Sequence, residues 1–478
     1  MKKRFLSLAK KLLGKTLTRK IRPLWHSTKA RVAAWRYGHP GKKLKIIGIT
    51  GTKGKTTTSM LTARLLNLAG IKTGLLCSAA INFGTGEKQN EFKMSTLDAF
   101  DLQRSLVKMN KNGCEVAVVE MTSIGLEQGR HLGIGHFDSV VFLNLFPEHI
   151  EAHGSLENYV QAKAKLFAAV SKKGFCLLAG EPEQEQYKKQ MLQAIPQDFQ
   201  STVSKKELKA GRDYTIIDAQ DSFFKSLSLS DFPKTQFQTH FFTRFDPINL
   251  TFALTLLKHY HPTLRAKQIQ RDLKKLNHHV PGRMDFAVLD GKIINEKTNF
   301  PKRFFEPTHS ESKDDPKTRL SILVDYAHEP ESMKQLLMNL NQWRKKGYFH
   351  KIIHLVSCDG AGRDDWKKPI LGKISLEHAN LSILTTDNYD KEDNPQEIVD
   401  LLSQKLPKKQ KDTTYFLQID RKKAFEIAIE KADEWANKGE FVLIVSTGVG
   451  NEYGLTQPGG IMNWDEKKVW QEIFGATS

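Results

Sequence analysis

The segment that most constrains this chain runs from Lys45 to Thr58. KIIGIT at Lys45–Thr50 is a short apolar, β-branched run; GTKGKTTT at Gly51–Thr58 follows without a spacer, and the helical pattern SMLTARLLNLAG comes next. Strand, glycine turn and helix in direct succession bring backbone N–H groups and the positive end of a helix to one point, where they cradle phosphate oxygens. Lys55 then stands where it reaches terminal phosphates and Thr56 where its hydroxyl meets Mg²⁺, so ATP with Mg²⁺ is the expected guest. The longer GxxxxGK[ST] pattern is missed, because Ile49 stands five residues before Gly54; the pattern present is GxxGKT, Gly51–Thr56. A glycine pattern this short is also compatible with an ordinary turn.

This strand, loop and helix open a series. Up to about Arg283 the apolar runs EVAVVEM, SVVFLNL and CLLAG alternate with helical patterns, the sequence form of a parallel sheet flanked by helices. VPGR at Val280–Arg283 interrupts the series, and FAVLD, SILVDYA, KIIHLVS, LSILTTD and FVLIVST form a second one. The fold class is α/β: a central ATP-binding domain with the phosphate loop on a parallel sheet (44–282) and a C-terminal Rossmann-like α/β domain (283–478), preceded by a basic arm (1–43). Glu296–Arg319 is polar and Pro-containing and reads as a long surface loop, while residues 181–244 include strands that the pattern does not locate.

The net charge of +20 is unevenly placed. Fourteen of the 73 Lys and Arg and none of the 53 Asp and Glu fall in Met1–Lys43, leaving only +6 for the remainder. Within that arm Phe5, Leu8, Leu12, Leu13 and Leu17 recur near helical spacing, as a helix lying on an anionic membrane or partner requires; a solvated tail has the same composition. A phosphate loop with a basic chain also suits a nucleotide-dependent nucleic-acid-binding protein. The excess charge sits in the arm, however, and no helicase or recombinase signature comes after the loop, so no nucleic acid is expected. Four dispersed cysteines without a CxxC pair point to a reducing compartment and to neither a disulfide framework nor a zinc knuckle. No apolar run approaches the ~18 residues of a membrane span, and lysines interrupt the N-terminal stretch, so a cytoplasmic protein is expected.

GITGTKGKTTT at Gly48–Thr58 closely resembles the ATP loop of the Mur ligase family, whose members join an amino acid to a carboxylate at the expense of ATP. Further segments stand in the family's order. VVEMTS at Val118–Ser123 resembles the strand ending in a metal-binding Glu, here Glu120, and NLFPEHIEAHG at Asn144–Gly154 the segment with a metal-binding His, here His149. YVQAKAKLF at Tyr159–Phe167 resembles the stretch whose lysine is carbamoylated, here Lys163; FDPINLTFAL at Phe245–Leu254, VPGRMD at Val280–Asp285 and VDYAHEPESM at Val324–Met333 continue the match. Within the family the resemblance is to the ligases that add the third peptide residue to UDP-N-acetylmuramoyl-L-Ala-D-Glu, through DYAH at Asp325–His328, GAGRDDWKKP at Gly360–Pro369, TTDNYDKEDNP at Thr385–Pro395 and GVGNE at Gly448–Glu452.

The resemblance implies a mechanism and a site. The ATP γ-phosphoryl group passes to a carboxylate, an amine attacks the acyl phosphate, and an amide remains. Gly51, Thr52, Lys53, Gly54, Lys55, Thr56 and Thr57 would hold the phosphates; Thr56, Glu120, His149 and carbamoylated Lys163 would hold Mg²⁺, since carbamoylation turns a cation into an anionic ligand. Asn249 matches a residue near adenine, and Arg283, Asp325 and His328 match ribose and phosphate contacts in the C-terminal domain. Ser95, Thr96, Thr122, Gln128 and Arg130 match positions that contact the sugar-peptide, and Asp387, Asn388, Asp390 and Glu452 would line the amino-acid pocket.

Departures from the family pattern sharpen the reading. Only the basic arm precedes the loop, so the usual N-terminal UDP-gripping domain is expected to be shortened or missing. SSHAL reads TSIGL at Thr122–Leu126, DHLDYH reads EHIEAH at Glu148–His153, and GKGHE reads GVGNE. DNPR, whose Arg clamps the distal carboxylate of meso-diaminopimelate, reads DNYD at Asp387–Asp390; an Asp there repels a carboxylate and suits a cation, favouring lysine. A ligase for another carboxylate, of folate or poly-γ-glutamate type, is the alternative that the reduced N-terminal region favours.

Overall fold

The computed structural model describes residues 24–92, 94–148, 150–210, 214–218, 224–230, 236–240, 246–277, 279–294, 316–360, 364–389, 393–449, 455–457, 460–462 and 464–476. They form two compact units, one of the elements before His279 and one of those from there on.

The first unit is built on eight strands: β1 (Lys45–Thr50), β2 (Thr73–Leu76), β3 (Ala80–Asn82), β4 (Glu87–Gln89), β5 (Val116–Glu120), β6 (Phe137–Phe142), β7 (Val170–Ala179) and β8 (Ser204–Leu208). Their order is β4-β3-β2-β5-β1-β6-β7-β8, parallel from β2 to β8, with β3 and β4 added antiparallel at one edge. Beyond Lys45 every residue of β1 is buried, which is why its sequence reads as a continuous apolar run: a central parallel strand is covered on both faces. The covering helices are α1 (residues 24–36), α2 (Lys55–Leu68), α3 (Ala99–Lys111), the short α4 (Ser123–Glu127) and α5 (Ile150–His153), α6 (Leu156–Ala168), α7 (Glu185–Gln193), α8 (Asp246–Tyr260) and α9 (Ala266–Lys275). Asp98, Thr122 and Ser155 cap α3, α4 and α6 by accepting from Phe100, Gly125 and Asn158 N–H. The strands that the sequence pattern does not locate are β8 and a separate antiparallel sheet of β9 (Tyr214–Asp218), β10 (Phe224–Leu229) and β11 (Gln236–His240).

The second unit holds β12 (Asp285–Leu289), β13 (Lys292–Ile293), β14 (Leu320–Asp325), β15 (Lys351–Cys358), β16 (Leu381–Thr386), β17 (Tyr415–Leu417) and β18 (Val442–Thr447), ordered β13-β12-β14-β18-β15-β16-β17. The five strands from β14 to β17 along this order are parallel; β12 and β13 form an antiparallel edge. Helices α10 (Pro330–Lys345), α11 (Lys368–His378), α12 (Pro395–Ser403), α13 (Arg421–Ala436) and α14 (Glu466–Ala476) flank them, and a hairpin of β19 (Leu455–Gln457) and β20 (Gly460–Met462) comes after β18. The α/β reading with two parallel-dominated sheets therefore holds, with antiparallel edge strands as the addition.

Of the segment read as a long loop, only the 3₁₀ turn Pro316–Arg319 is among the described residues. The apolar positions Phe5 to Leu17 lie outside them. The later part of the basic segment is folded: α1 buries Ala30, Ala33 and Ala34, the first two against Ala99 and Phe100 of α3, and Lys29 Nζ lies 2.6 Å from Asp98. Among the described residues no helix is long and apolar enough to cross a membrane.

Two buried histidines make stability pH-dependent. His354 in β15 bonds Ser375 Oγ through Nδ1 (2.7 Å) and Thr447 Oγ1 through Nε2 (3.0 Å). Burial, reinforced by His378, pulls its pKa down to about 3; burial with Lys165 pulls His131 down to about 4. Both stay neutral in the fold, whereas an unfolded chain protonates them near ~6.5. The unfolded state therefore binds more protons below that pH, and stability falls as the pH drops from ~6.5 toward those values, by up to ~1.4 kcal/mol per pH unit for each residue. Urea unfolding monitored across this range should show that loss, and His354→Asn should make the acid limb shallower than in the wild type.

Candidate active site

The C-terminal ends of β5, β1 and β6 lie side by side, with Ile49 opposite Glu120 and Thr50 opposite Phe142. Strand order reverses about β1, and such a crevice at the carboxyl ends of a parallel sheet is where α/β folds bind ligands. The loop Gly51–Gly54 emerges there and α2 starts at Lys55. Gly54 has φ +82°, and a Cβ on it would sit 2.5 Å from Asn249 Oδ1, so both its conformation and its neighbour demand glycine. Asn249, on α8, also accepts from Thr58 Oγ1 at 3.2 Å. The first helical hydrogen bond at this end is Thr58 N–H to Gly54 O, so the N–H groups of residues 54–57 precede it.

Asn144, just after β6, secures the loop. Its Oδ1 accepts from Thr52 N–H (3.2 Å) and Lys53 N–H (2.9 Å), and its backbone carbonyl also takes the Thr52 N–H (3.0 Å). Thr52 Oγ1 lies 2.9 Å from Tyr159 OH and accepts from Phe146 N–H. Lys55 Nζ donates to Thr52 O at 2.9 Å, and Lys53 Nζ is 3.4 Å from Glu148.

Glu120, at the end of β5, is buried and accepts from Thr56 Oγ1 (3.0 Å), Ser78 N–H (2.9 Å) and Ser78 Oγ (3.1 Å). A buried carboxylate facing a hydroxyl beside a phosphate loop is an all-oxygen donor set of the kind Mg²⁺ takes. Lys163, projecting from α6, is buried; its Nζ donates to Gly51 O at 2.7 Å and lies 4.5 Å from the Tyr159 ring centroid. Burial first, then the nearby Lys55 cation, hold its pKa well below the ordinary lysine range.

A second network continues from Glu120. Ser78 Oγ lies 2.7 Å from Ser95 Oγ; Thr96 Oγ1 donates to Glu120 O (3.2 Å), accepts from Thr122 N–H (2.9 Å) and is 3.1 Å from Thr122 Oγ1. Arg130 donates to Thr96 O (2.5 Å) and to Gln128 Oε1 (2.9 Å). Ser95, Thr96, Thr122, Gln128 and Arg130 are thus brought into one chain of contacts beside the phosphate loop. His153 joins it from α5: Nε2 is 3.1 Å from Ser123 Oγ and Nδ1 3.2 Å from Glu127.

In the second unit, Arg283 stacks on Tyr326, its guanidinium 4.2 Å from the ring centroid. Asp325, at the end of β14, accepts from Met284 N–H (2.8 Å) and Ala327 N–H (2.9 Å), and burial raises its pKa against the pull of Arg283. His328 Nδ1 is 2.8 Å from Tyr326 O. Arg283, Asp325 and His328 therefore share one corner of this unit. Asp387 and Asn388 come directly after β16: Asn388 donates to Asp387 (2.9 Å) and Asp359 (3.2 Å), and Ser357 Oγ approaches Asp387 at 3.4 Å. Burial, then the charge of Asp359, push the Asp387 carboxyl up to about 7 against Arg421. Arg421 is buried on Glu466, with bonds of 2.6 and 3.0 Å, and donates to Thr386 O and Thr447 O at the ends of β16 and β18.

His149, Asp390 and Glu452 lie outside the described residues. Sequence reasoning does not single out Ser78, Asn144, Tyr159, Asp359, Arg421 or Glu466. Asn144 and Tyr159 carry a signal, the first opening the segment NLFPEH after a strand and the second the segment YVQAKAKLF that contains Lys163.

Residues 49–257 match the model of the Mur ligase middle domain and residues 311–448 that of the Mur ligase glutamate ligase domain. The UDP-N-acetylmuramoyl-L-alanyl-D-glutamate–2,6-diaminopimelate ligase of Aquifex aeolicus is 30% identical over 445 residues, covering 92% of this chain and 79% of that protein. The UDP-N-acetylmuramyl-tripeptide synthetase of Borreliella afzelii is 27% identical, with 91% and 77% covered. A solved UDP-N-acetylmuramoyl-L-alanyl-D-glutamate–2,6-diaminopimelate ligase superimposes with TM-score 0.54 at 25% identity, covering 94% and 83% of the two chains. A folylpolyglutamate synthase from Mycobacterium tuberculosis, complexed with ADP and AMPPCP, shares the fold at TM-score 0.66 and 13% identity, with 92% and 95% covered.

Gly54→Ala tests the geometry of the loop. The added methyl group meets Asn249 and strains the backbone, at a stability cost of about 1–3 kcal/mol. Calorimetric titration should show ATP binding weakened at least about a hundredfold, well beyond what that destabilisation accounts for.

Proposed function

The chain belongs to the Mur ligase family, and on that footing we propose that it couples an amino acid to the D-glutamyl carboxylate of UDP-N-acetylmuramoyl-L-Ala-D-Glu. It is an ATP-dependent amide-bond-forming ligase of peptidoglycan precursor synthesis. The observation that carries the reading is the contiguity of the phosphate loop, the buried Glu120 and the Ser95–Thr96–Thr122–Arg130 network at the ends of adjacent strands.

A carboxylate is a poor electrophile at neutral pH, so it is first phosphorylated: its oxygen takes the γ-phosphoryl group and ADP leaves. The amine then attacks the acyl phosphate carbon, loses a proton and displaces phosphate. Charge gathers at the transferred phosphoryl group, which is where Lys55 and the N–H groups at the start of α2 stabilise it. Thr56, Glu120, His149 and a carbamoylated Lys163 are the residues we assign to Mg²⁺, which supplies charge neutralisation on the phosphate oxygens when bound. The depressed basicity of Lys163 supports the carbamate, because only the neutral amine adds CO₂. Lys53, Gly51, Thr52, Gly54 and Thr57 complete the phosphate cradle, Asn249 supports its turn, and Arg283, Asp325 and His328 are assigned to the nucleotide. Ser95, Thr96, Thr122, Gln128 and Arg130 are assigned to orienting the acceptor peptide, with Asp387, Asn388, Asp390 and Glu452 receiving the amino acid.

For that amino acid the reading is lysine. Asp390 stands where the family's DNPR has an arginine, and a carboxylate there suits a cationic side chain better than another carboxylate. The name of the Aquifex relative carries 2,6-diaminopimelate, so the two amino acids are the comparison to make. The likeness to the folylpolyglutamate synthase is one of fold. The basic segment Met1–Lys43 we assign to an anionic membrane face.

The test is purified protein with ATP, Mg²⁺ and UDP-N-acetylmuramoyl-L-Ala-D-Glu, given L-lysine or meso-diaminopimelate, with product mass and phosphate release measured together. Tripeptide with lysine at the higher kcat/KM is the expected result; preference for diaminopimelate overturns the lysine reading, and no product with either overturns the acceptor. Lys163→Ala should lower kcat by about 10²–10³ with the fold intact.

A further inference from the structure

Helix α1 presents two unlike faces. Ala30, Ala33 and Ala34 are buried, and the contact is close: a Cβ on Gly133 would meet Ala30 O at 2.9 Å, and one on Gly129 would meet Ser27 Cβ at 2.9 Å. The Lys29–Asp98 pair and the edge contact of Tyr37 on Phe100, centroids 6.4 Å apart, fix the same side. On the outer side Leu24 (67%), Trp25 (67%), Val32 (50%) and Trp35 (73%) are exposed, four of the nine exposed large hydrophobic residues among those described, gathered on one short helix.

Their angular placement is ordered. At 3.6 residues per turn, Leu24, Trp35, Thr28, Val32 and Trp25 fall within an arc of about 100°, with Arg31 at one border and Arg36 at the other. Both arginines are exposed. An apolar arc with tryptophans, edged by cations and mounted rigidly on a globular body, matches the interface of a bilayer, where indole rings sit at headgroup depth and arginines meet phosphates. Charge complementarity selects the kind of bilayer: Met1–Lys43 carries 14 Lys and Arg and no acidic residue, which favours anionic lipid.

We infer that the outer face of α1, through Trp25, Val32 and Trp35, docks this protein on an anionic lipid surface. The inference rests on the assignment of the basic segment to a membrane face and adds to it an inserted apolar element. It also ties the membrane to the reaction: α1 packs on Gly129, next to Gln128 and Arg130 of the proposed acceptor site, so docking holds that site at a set distance from the lipid surface.

The experiment is sedimentation of the full-length protein with vesicles of phosphatidylcholine alone or mixed with phosphatidylglycerol. It compares wild type with W25S/V32S/W35S and with K10Q/K11Q/K15Q/R19Q/K20Q. The serine variant is expected to bind mixed vesicles at least about tenfold more weakly at every salt concentration, with solution ligase turnover within about twofold of wild type. The glutamine variant should be weakened at low salt only. W25F/W35F should keep binding but lose the vesicle-induced blue shift of tryptophan emission. Equal binding of the serine variant and wild type overturns the inserted face; if the glutamine variant then still loses binding, the basic-segment assignment stands alone. Absence of wild-type binding to mixed vesicles overturns both, leaving the face to a protein partner.

Discussion

The site depends on one constraint: the chain leaving β1 must turn sharply without folding its amides onto its own carbonyls, so that those at the start of α2 are left for an anion. Backbone N–H groups are obligatory donors, and a loop left to itself folds them onto its own carbonyls. Here neighbouring strands prevent this. Asn144, from the end of β6, takes the N–H groups of Thr52 and Lys53, while Gly54 turns against Asn249 and starts α2 directly. Beyond Gly54 the helix end presents its N–H groups before the first helical bond, the electrostatic environment a polyphosphate requires. Glu120 lies beside it only because β5 pairs with β1 in a register that sets Ile49 against that residue.

The second unit solves a related problem with charge. Arg421 and Glu466 form a buried ion pair, which compared with packed apolar residues is weak evidence for stability. Its geometry shows another use. The Arg421 guanidinium bonds the carbonyls of Thr386 and Thr447, joining the ends of β16 and β18, and its positive charge opposes the burial that raises Asp387. Both units thus place a buried carboxylate at or just beyond a strand end and hold it through residues distant in sequence.

That division explains how much is legible in the sequence. The phosphate loop, Glu120 and the strand series are local patterns: glycine spacing, an acidic residue ending an apolar run, alternation of strands and helices. Ser78, Asn144 and Tyr159 act across 42, 92 and 107 residues, and such partners leave no spacing for a single sequence to display. Strands β8 to β11 escape for a different reason. SKKEL and QFQTH are polar sequences on edge strands, without the apolar run that marks β1 or β5. On the basic segment the apolar spacing points to Phe5–Leu17, whereas the described helix is residues 24–36. Its alanines face the body while its tryptophans face outward, so the usual correlation of large apolar residues with burial misleads there.

Lys163 poses the strongest electrostatic demand of the site. As an ammonium it would give up hydration and stand near Lys55 and Lys53, with Glu148 and Glu120 as partial compensation. Desolvation and like charge both act on the protonated form, so the neutral amine is the form the fold favours. The carbamate proposed here would reverse the sign of the second effect: the two lysines that repel an ammonium would attract an anion. On that proposal a buried lysine need not carry its ordinary charge, and Lys55, the cation that adds most to the effect of burial, is the one assigned above to the transferred phosphoryl group.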